Sequence, residues 1–125
     1  MLARASLTVT ASINKGESKS VKYLLVYYGG GMPEGAAAQA RVMKQWGTWF
    51  GKVGPAMVDG GNPMSGAVNK IQPDGSVAKG PIGKRATGYS IIEAASLDKA
   101  TKLAKGCPIL KSGGQIAVYE TFNAM

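Results

Sequence analysis

Residues 87–122 read as a strand, a capped helix and a second strand, and this half-domain constrains the fold more than any other stretch of the chain. Gly88–Ala94 is rich in β-formers. Ser96 then stands at the N-cap position with Asp98 in the first turn, where a hydroxyl satisfies a free backbone N–H and a carboxylate complements the helix dipole. Leu97, Ala100 and Ala104 recur at helical spacing and are expected to face inward. Gly106 ends the helix, and Gly114–Phe122 returns to a β pattern.

The front half repeats the theme. Val21–Tyr28 is a run of β-formers that stops at three glycines, Gly29–Gly31. From about Glu34 the period lengthens: Val42, Trp46, Trp49 and Val53 mark one helical stripe, widened by Met43 and Phe50. Gly54-Pro55 closes that helix with a residue tolerant of left-handed backbone and a ring that cannot continue it. Ala56–Asp59 forms a short strand, and Gly66–Gln72 pairs with Ser76–Lys79 around Asp74-Gly75, a dipeptide favoured in tight hairpin turns. Lys79–Arg85 is a Gly/Pro loop. The order predicts an α+β protein, a ferredoxin-like βαββαβ sandwich with an extra hairpin. At 125 residues the chain suits one domain, placed at 21–125. Residues 1–20 are expected to be an N-terminal extension, either a tail or an extra strand around Leu7–Ile13.

A sheet of this kind has helices on one side only. The first strand nevertheless offers Tyr23, Leu25 and Tyr27 on one face and Leu24, Val26 and Tyr28 on the other, whereas a half-exposed strand would alternate apolar with polar. Burial of both faces is implied, so the expected partner is a second copy of the chain docked through the bare sheet face.

Composition narrows the chemistry. Histidine is absent and Cys107 is the only cysteine, which excludes a Ser-His-Asp triad, a Cys-His pair, a CxxC redox centre and the usual zinc sites. No metal and no cofactor is expected. A lone thiol permits no intrachain disulfide, so a reducing cytoplasm is the expected compartment. No apolar run reaches the length of a membrane span, and Met1–Ser20 lacks the apolar core of a secretory signal. The formal charge is +8, but no basic run is interleaved with the aromatic residues that stack on single-stranded bases, and nucleic acid is not the expected partner. Lys99, Lys102 and Lys105 read as the solvated face of the second helix.

The segments Lys22-Tyr-Leu-Leu-Val-Tyr-Tyr28, Trp46-Gly-Thr-Trp-Phe50, Val58-Asp-Gly-Gly-Asn-Pro63, Gly88-Tyr-Ser-Ile-Ile-Glu-Ala94, Ser96-Leu-Asp-Lys-Ala100, Gly106-Cys-Pro108 and Gly113-Gly-Gln-Ile-Ala-Val-Tyr119, in this order and spacing, resemble the YCII-related (DGPF-domain) proteins over about Lys22–Thr121. The resemblance implies a small dimeric α+β barrel of a group mostly without an assigned activity. Some relatives carry a His-Asp pair proposed to be catalytic. This chain has no histidine for that role, and where the DGPF signature would fall it reads Gly80-Pro-Ile-Gly-Lys-Arg85.

Asp59 is the one carboxylate placed to serve a site. If the first two strands run parallel, Tyr27, Tyr28 and Asp59 share one sheet end with the start of the antiparallel strand at Tyr89, and Asn62 and Ser65 can close over it. Such an aromatic-lined cleft has the composition of a small-molecule pocket, with Asp59 also the candidate catalytic base. The competing reading is that Asp59-Gly60 only forms a turn, its carboxylate accepting from downstream amides. Glu93 and Glu120 are expected to flank Lys22, as an ion pair rather than as a shared-proton dyad. Trp46 and Trp49 read as core, and Cys107 as a small buried apolar residue. Three functions stay open: a homodimer that binds a small metabolite near Asp59, a cofactor-free isomerase, hydrolase or oxygenase using Asp59, and a non-catalytic interaction module.

Overall fold

A computed structural model of the chain describes residues 20–124; the expected tail or extra strand at its N-terminus therefore lies, apart from Ser20, outside the described residues. The elements follow as β1 (Val21–Tyr28), α1 (Ala36–Val53), β2 (Met57–Asp59), β3 (Asn69–Ile71), β4 (Val77–Lys79), β5 (Ala86–Ala94), α2 (Leu97–Ala104) and β6 (Gln115–Glu120). β1, β2, β5 and β6 form one sheet in the order β2-β5-β1-β6, with every neighbouring pair antiparallel. β3 and β4 form a separate antiparallel hairpin. The chain is thus α+β, with two helices and a mostly antiparallel sheet among the described residues, an arrangement compatible with a ferredoxin-like fold.

Local chemistry accounts for the element ends. Ser96 Oγ accepts from the Lys99 N–H at 3.1 Å and starts α2, with Asp98 in its first turn. α1 ends at Val53 with Gly54 as its C-cap, and a single 3-10 turn, Gly54–Ala56, follows with Pro55 within it. A second 3-10 turn, Pro108–Ser112, occupies the stretch between α2 and β6. Proline at its start fixes the backbone for such a turn, and Ile109 is thereby carried into the core.

Strand alternation sorts the two sheet faces. Tyr23, Leu25 and Tyr27 of β1 and Ser90 and Ile92 of β5 are buried and face the helices, where they meet Trp49 and Val53 of α1 and Ala100 and Ala104 of α2. The two alanines let α2 lie close to the sheet. Leu97, expected inward, is 43% exposed because it is the first helical residue, one turn short of Ala100; Leu103 packs against the core instead.

Among the described residues no helix lies on the other face. In-register neighbours share a face, which groups Leu24 with Ile91 and Tyr119, and Val26 with Tyr89 and Ala117. Most of these are half-exposed, while Tyr119 is exposed. Both faces of β1 are therefore apolar, but only one is covered by the described residues. The same register sets Lys22 opposite Glu93 on the open face and Glu120 beside Tyr23 on the helix-covered face. The two glutamates lie on opposite sides of the sheet and cannot share a proton.

Candidate functional site

The aromatic stripe of α1 is wider than the core beneath it, and the surplus shapes a cavity of about 390 Å³ between α1 and the ends of β1 and β5. Val42, Met43, Trp46 and Phe50 supply its helical wall, and Met32 in the glycine-rich segment after β1 supplies its rim. The Trp46 ring meets Tyr27 edge-on, with centroids 5.5 Å apart at 74°, and Phe50 at 5.9 Å and 61°. Edge-to-face contacts of this kind fix the rings without filling the space between them.

Residues 60–63 form the opposite wall, which is tied down from several directions. Asp59 Oδ1 accepts from the Gly61 N–H at 2.8 Å and closes a turn. Gly61 has φ +76°, and a Cβ there would overlap the Tyr89 carbonyl, so only glycine allows the chain to pass so close to β5. Pro63 then bridges to Gly88. At the base, the Tyr27 hydroxyl donates to Ser90 Oγ at 2.7 Å, and Ser90 donates onward to the Gly60 carbonyl at 2.8 Å. Every polar atom of this relay finds a partner, as burial requires.

The electrostatics are those of a neutral pocket. Burial holds the Tyr27 hydroxyl well above its ordinary ionisation range, and it likewise pushes up the thiol of Cys107, which lies against that hydroxyl. Both groups are protonated at neutral pH, so Cys107 offers no thiolate. The polar lining reduces to Asn62, Thr87 and Ser112 with backbone groups of the glycine-rich segments. Among the described residues no three His, Cys, Asp or Glu side chains converge as metal ligands, and no helix is long and apolar enough to cross a membrane.

Of the six residues expected in the cleft, Tyr27, Asn62 and Tyr89 line the cavity, and Asp59, Tyr28 and Ser65 do not. Asp59 fails to reach it because of register. β1 and β2 do run the same way, both antiparallel to β5, but Asp59 pairs at Ile91, which is level with Leu24 rather than with Tyr27. That leaves it three residues, about 10 Å, short of the sheet end. The glycine turn carries Asn62 the remaining distance. Tyr28 belongs to the open face by strand alternation, and Ser65 Oγ accepts from the Ala67 N–H in the loop beyond. Trp46, expected to be core, is a cavity wall, whereas Trp49 is buried and donates its indole N–H to the Leu103 carbonyl at 2.9 Å. Val42, Met43 and Phe50 were visible as a stripe, but the void beside them had no signature beyond its width.

No protein-family model matches the chain, and no curated protein is significantly similar to it.

Proposed function

We propose that this protein binds a small, largely apolar and preferably aromatic metabolite in the cavity between α1 and the sheet, and that it works as a homodimer joined through the open sheet face. The observation that carries the binding reading is the cavity itself: about 390 Å³ walled by Trp46, Phe50, Tyr27 and methionines, with a few polar groups at its edge. That size and balance match small-molecule sites, roughly 300–1,000 Å³ and mainly apolar with a few orienting hydrogen-bonding groups. The dimer reading is supported by Leu24, Val26, Tyr89, Ile91 and Tyr119 sharing one face that no helix among the described residues covers. A place in the YCII-related family, as a dimeric α+β barrel, is supported by the strand order together with the order of the sequence motifs.

Binding without chemistry is the favoured form. Asp59, the candidate base, is turned to its own loop outside the cavity lining, and the Tyr27–Ser90 pair is protonated and internally satisfied. An enzyme using Asp59 draws no support from this geometry.

The test is titration of the purified protein with N-phenyl-1-naphthylamine, an uncharged apolar aromatic probe, read by the rise in the probe's own fluorescence. The expected result is saturable binding of one probe per chain that Val42→Trp, which fills the helical wall, abolishes while circular dichroism stays unchanged. Absence of saturable binding, or equal binding by the filled variant, would overturn the assignment.

A further inference from the structure

A second concavity lies on the other flank of α1, and its chemistry is the opposite of the first. Arg41, Lys44 and Lys52 project from α1, and Lys111 faces them from the 3-10 turn Pro108–Ser112, around a groove of about 460 Å³. Among the described residues no Asp or Glu lines it. The floor is Trp49 with Gly106 and Pro108; a Cβ on Gly106 would press on the Trp49 ring at 3.1 Å, so glycine there sets the depth of the groove.

We propose that this groove is a binding site for a small organic polyphosphate, a ligand class distinct from that of the apolar cavity. Like charges one turn apart, as Arg41 and Lys44 are, weaken a helix rather than support it. Among the described residues no carboxylate lines the groove to offset them, which leaves the cluster open to an anionic ligand. The helix dipole does not explain the set: Lys52 lies in the last turn of α1, where a cation is favourable, but Arg41 and Lys44 lie well before it. Arg41 and Lys52 are separated by roughly 16 Å along the helix, from a rise of about 1.5 Å per residue. The long side chains of Arg41, Lys44, Lys52 and Lys111 line one groove, where linked phosphates can take charge-assisted hydrogen bonds from several of them. The volume is that of a small-molecule site. Trp49 is only 3% exposed and offers no stacking face to a nucleobase of a passing strand, which favours a compact polyphosphate over nucleic acid.

The experiment is calorimetric titration of the full chain with inorganic tripolyphosphate at constant ionic strength. One comparison protein carries Lys44→Ala with Lys111→Ala, and the other carries Lys99→Ala with Lys102→Ala, which removes the same charge from exposed positions of α2. One site per chain is expected, weakened at least about tenfold by the groove pair and less than about twofold by the α2 pair, since distant exposed charges are screened. Non-saturable heats, or equal losses in both variants, would refute the site. So would tight binding of a poly(dT) oligonucleotide, several chains per strand, without saturation by tripolyphosphate. Because tripolyphosphate and both variants leave the apolar cavity untouched, failure here does not bear on the N-phenyl-1-naphthylamine result.

Discussion

Tyr27 and Ser90, 63 residues apart in sequence, are joined by a buried hydrogen bond of 2.7 Å, and Ser90 extends it to the Gly60 carbonyl. The contact ties β1, β5 and the loop after β2 together at the base of the cavity. Replacing Ser90 with Ala leaves a buried hydroxyl and a carbonyl without their partner, which costs about 1–3 kcal/mol. An unfolding free energy from urea titration lowered by that amount, with faster proteolysis within residues 60–63, is the expected outcome.

The same burial sets the alkaline limit of stability. Folding raises the pKa of Tyr27 and Cys107 above their ordinary values of 10.0 and 9.0. The unfolded chain therefore loses these protons first, and the native state binds more of them. Their contribution is complete below about pH 9 and declines as pH rises through the folded values. Denaturant midpoints measured from about pH 8 to pH 11 should fall, and the Tyr27→Phe and Cys107→Ala variants should each show a shallower fall. A slope identical to that of the unaltered protein would show that neither group titrates across unfolding.

Glycine positions give a paired test of backbone against helix propensity. Gly61→Ala places a Cβ against the Tyr89 carbonyl at positive φ and should cost at least about 3 kcal/mol. Gly47→Ala, inside α1 with open space around it, should stabilise by about 0.5–1 kcal/mol. Thermal unfolding of the two variants should thus move in opposite directions.

Asp59 separates a turn from a base. Its carboxylate oxygen serves the Gly61 amide, an acceptor role that an amide oxygen can also fill. Asp59→Asn is expected to change stability by less than about 0.5 kcal/mol and Asp59→Ala by about 1 kcal/mol. Neither should alter probe affinity in the cavity. Loss of any turnover in the Asn variant at unchanged stability would restore Asp59 as a base.

Val26 tests the dimer. It lies between Tyr89 and Ala117 in the open face, so Val26→Glu places a charge in the centre of the proposed interface, where an unpaired charge is costly. Sedimentation equilibrium should show a dimer for the unaltered chain and a monomer for the variant. A monomer in both cases would remove the homodimer reading.

Much of the architecture was legible in local chemistry. The Ser96 cap, the Gly54-Pro55 stop, the Asp74-Gly75 turn and the two-faced β1 act within a few residues, so their patterns survive in the linear order. They determine the helices, the main strands, the hairpin and the uncovered apolar face. The candidate site was legible only in part. Which of Tyr27, Asn62 and Asp59 meet depends on the register of β2 against β5, and a three-residue strand carries too little pattern to specify register. The cavity and the basic groove arise where α1 meets residues 60–63 on one flank and the Pro108–Ser112 turn on the other. Those pairings join segments distant in sequence, and only the packed chain, in which sheet order and helix placement are fixed together, decides them.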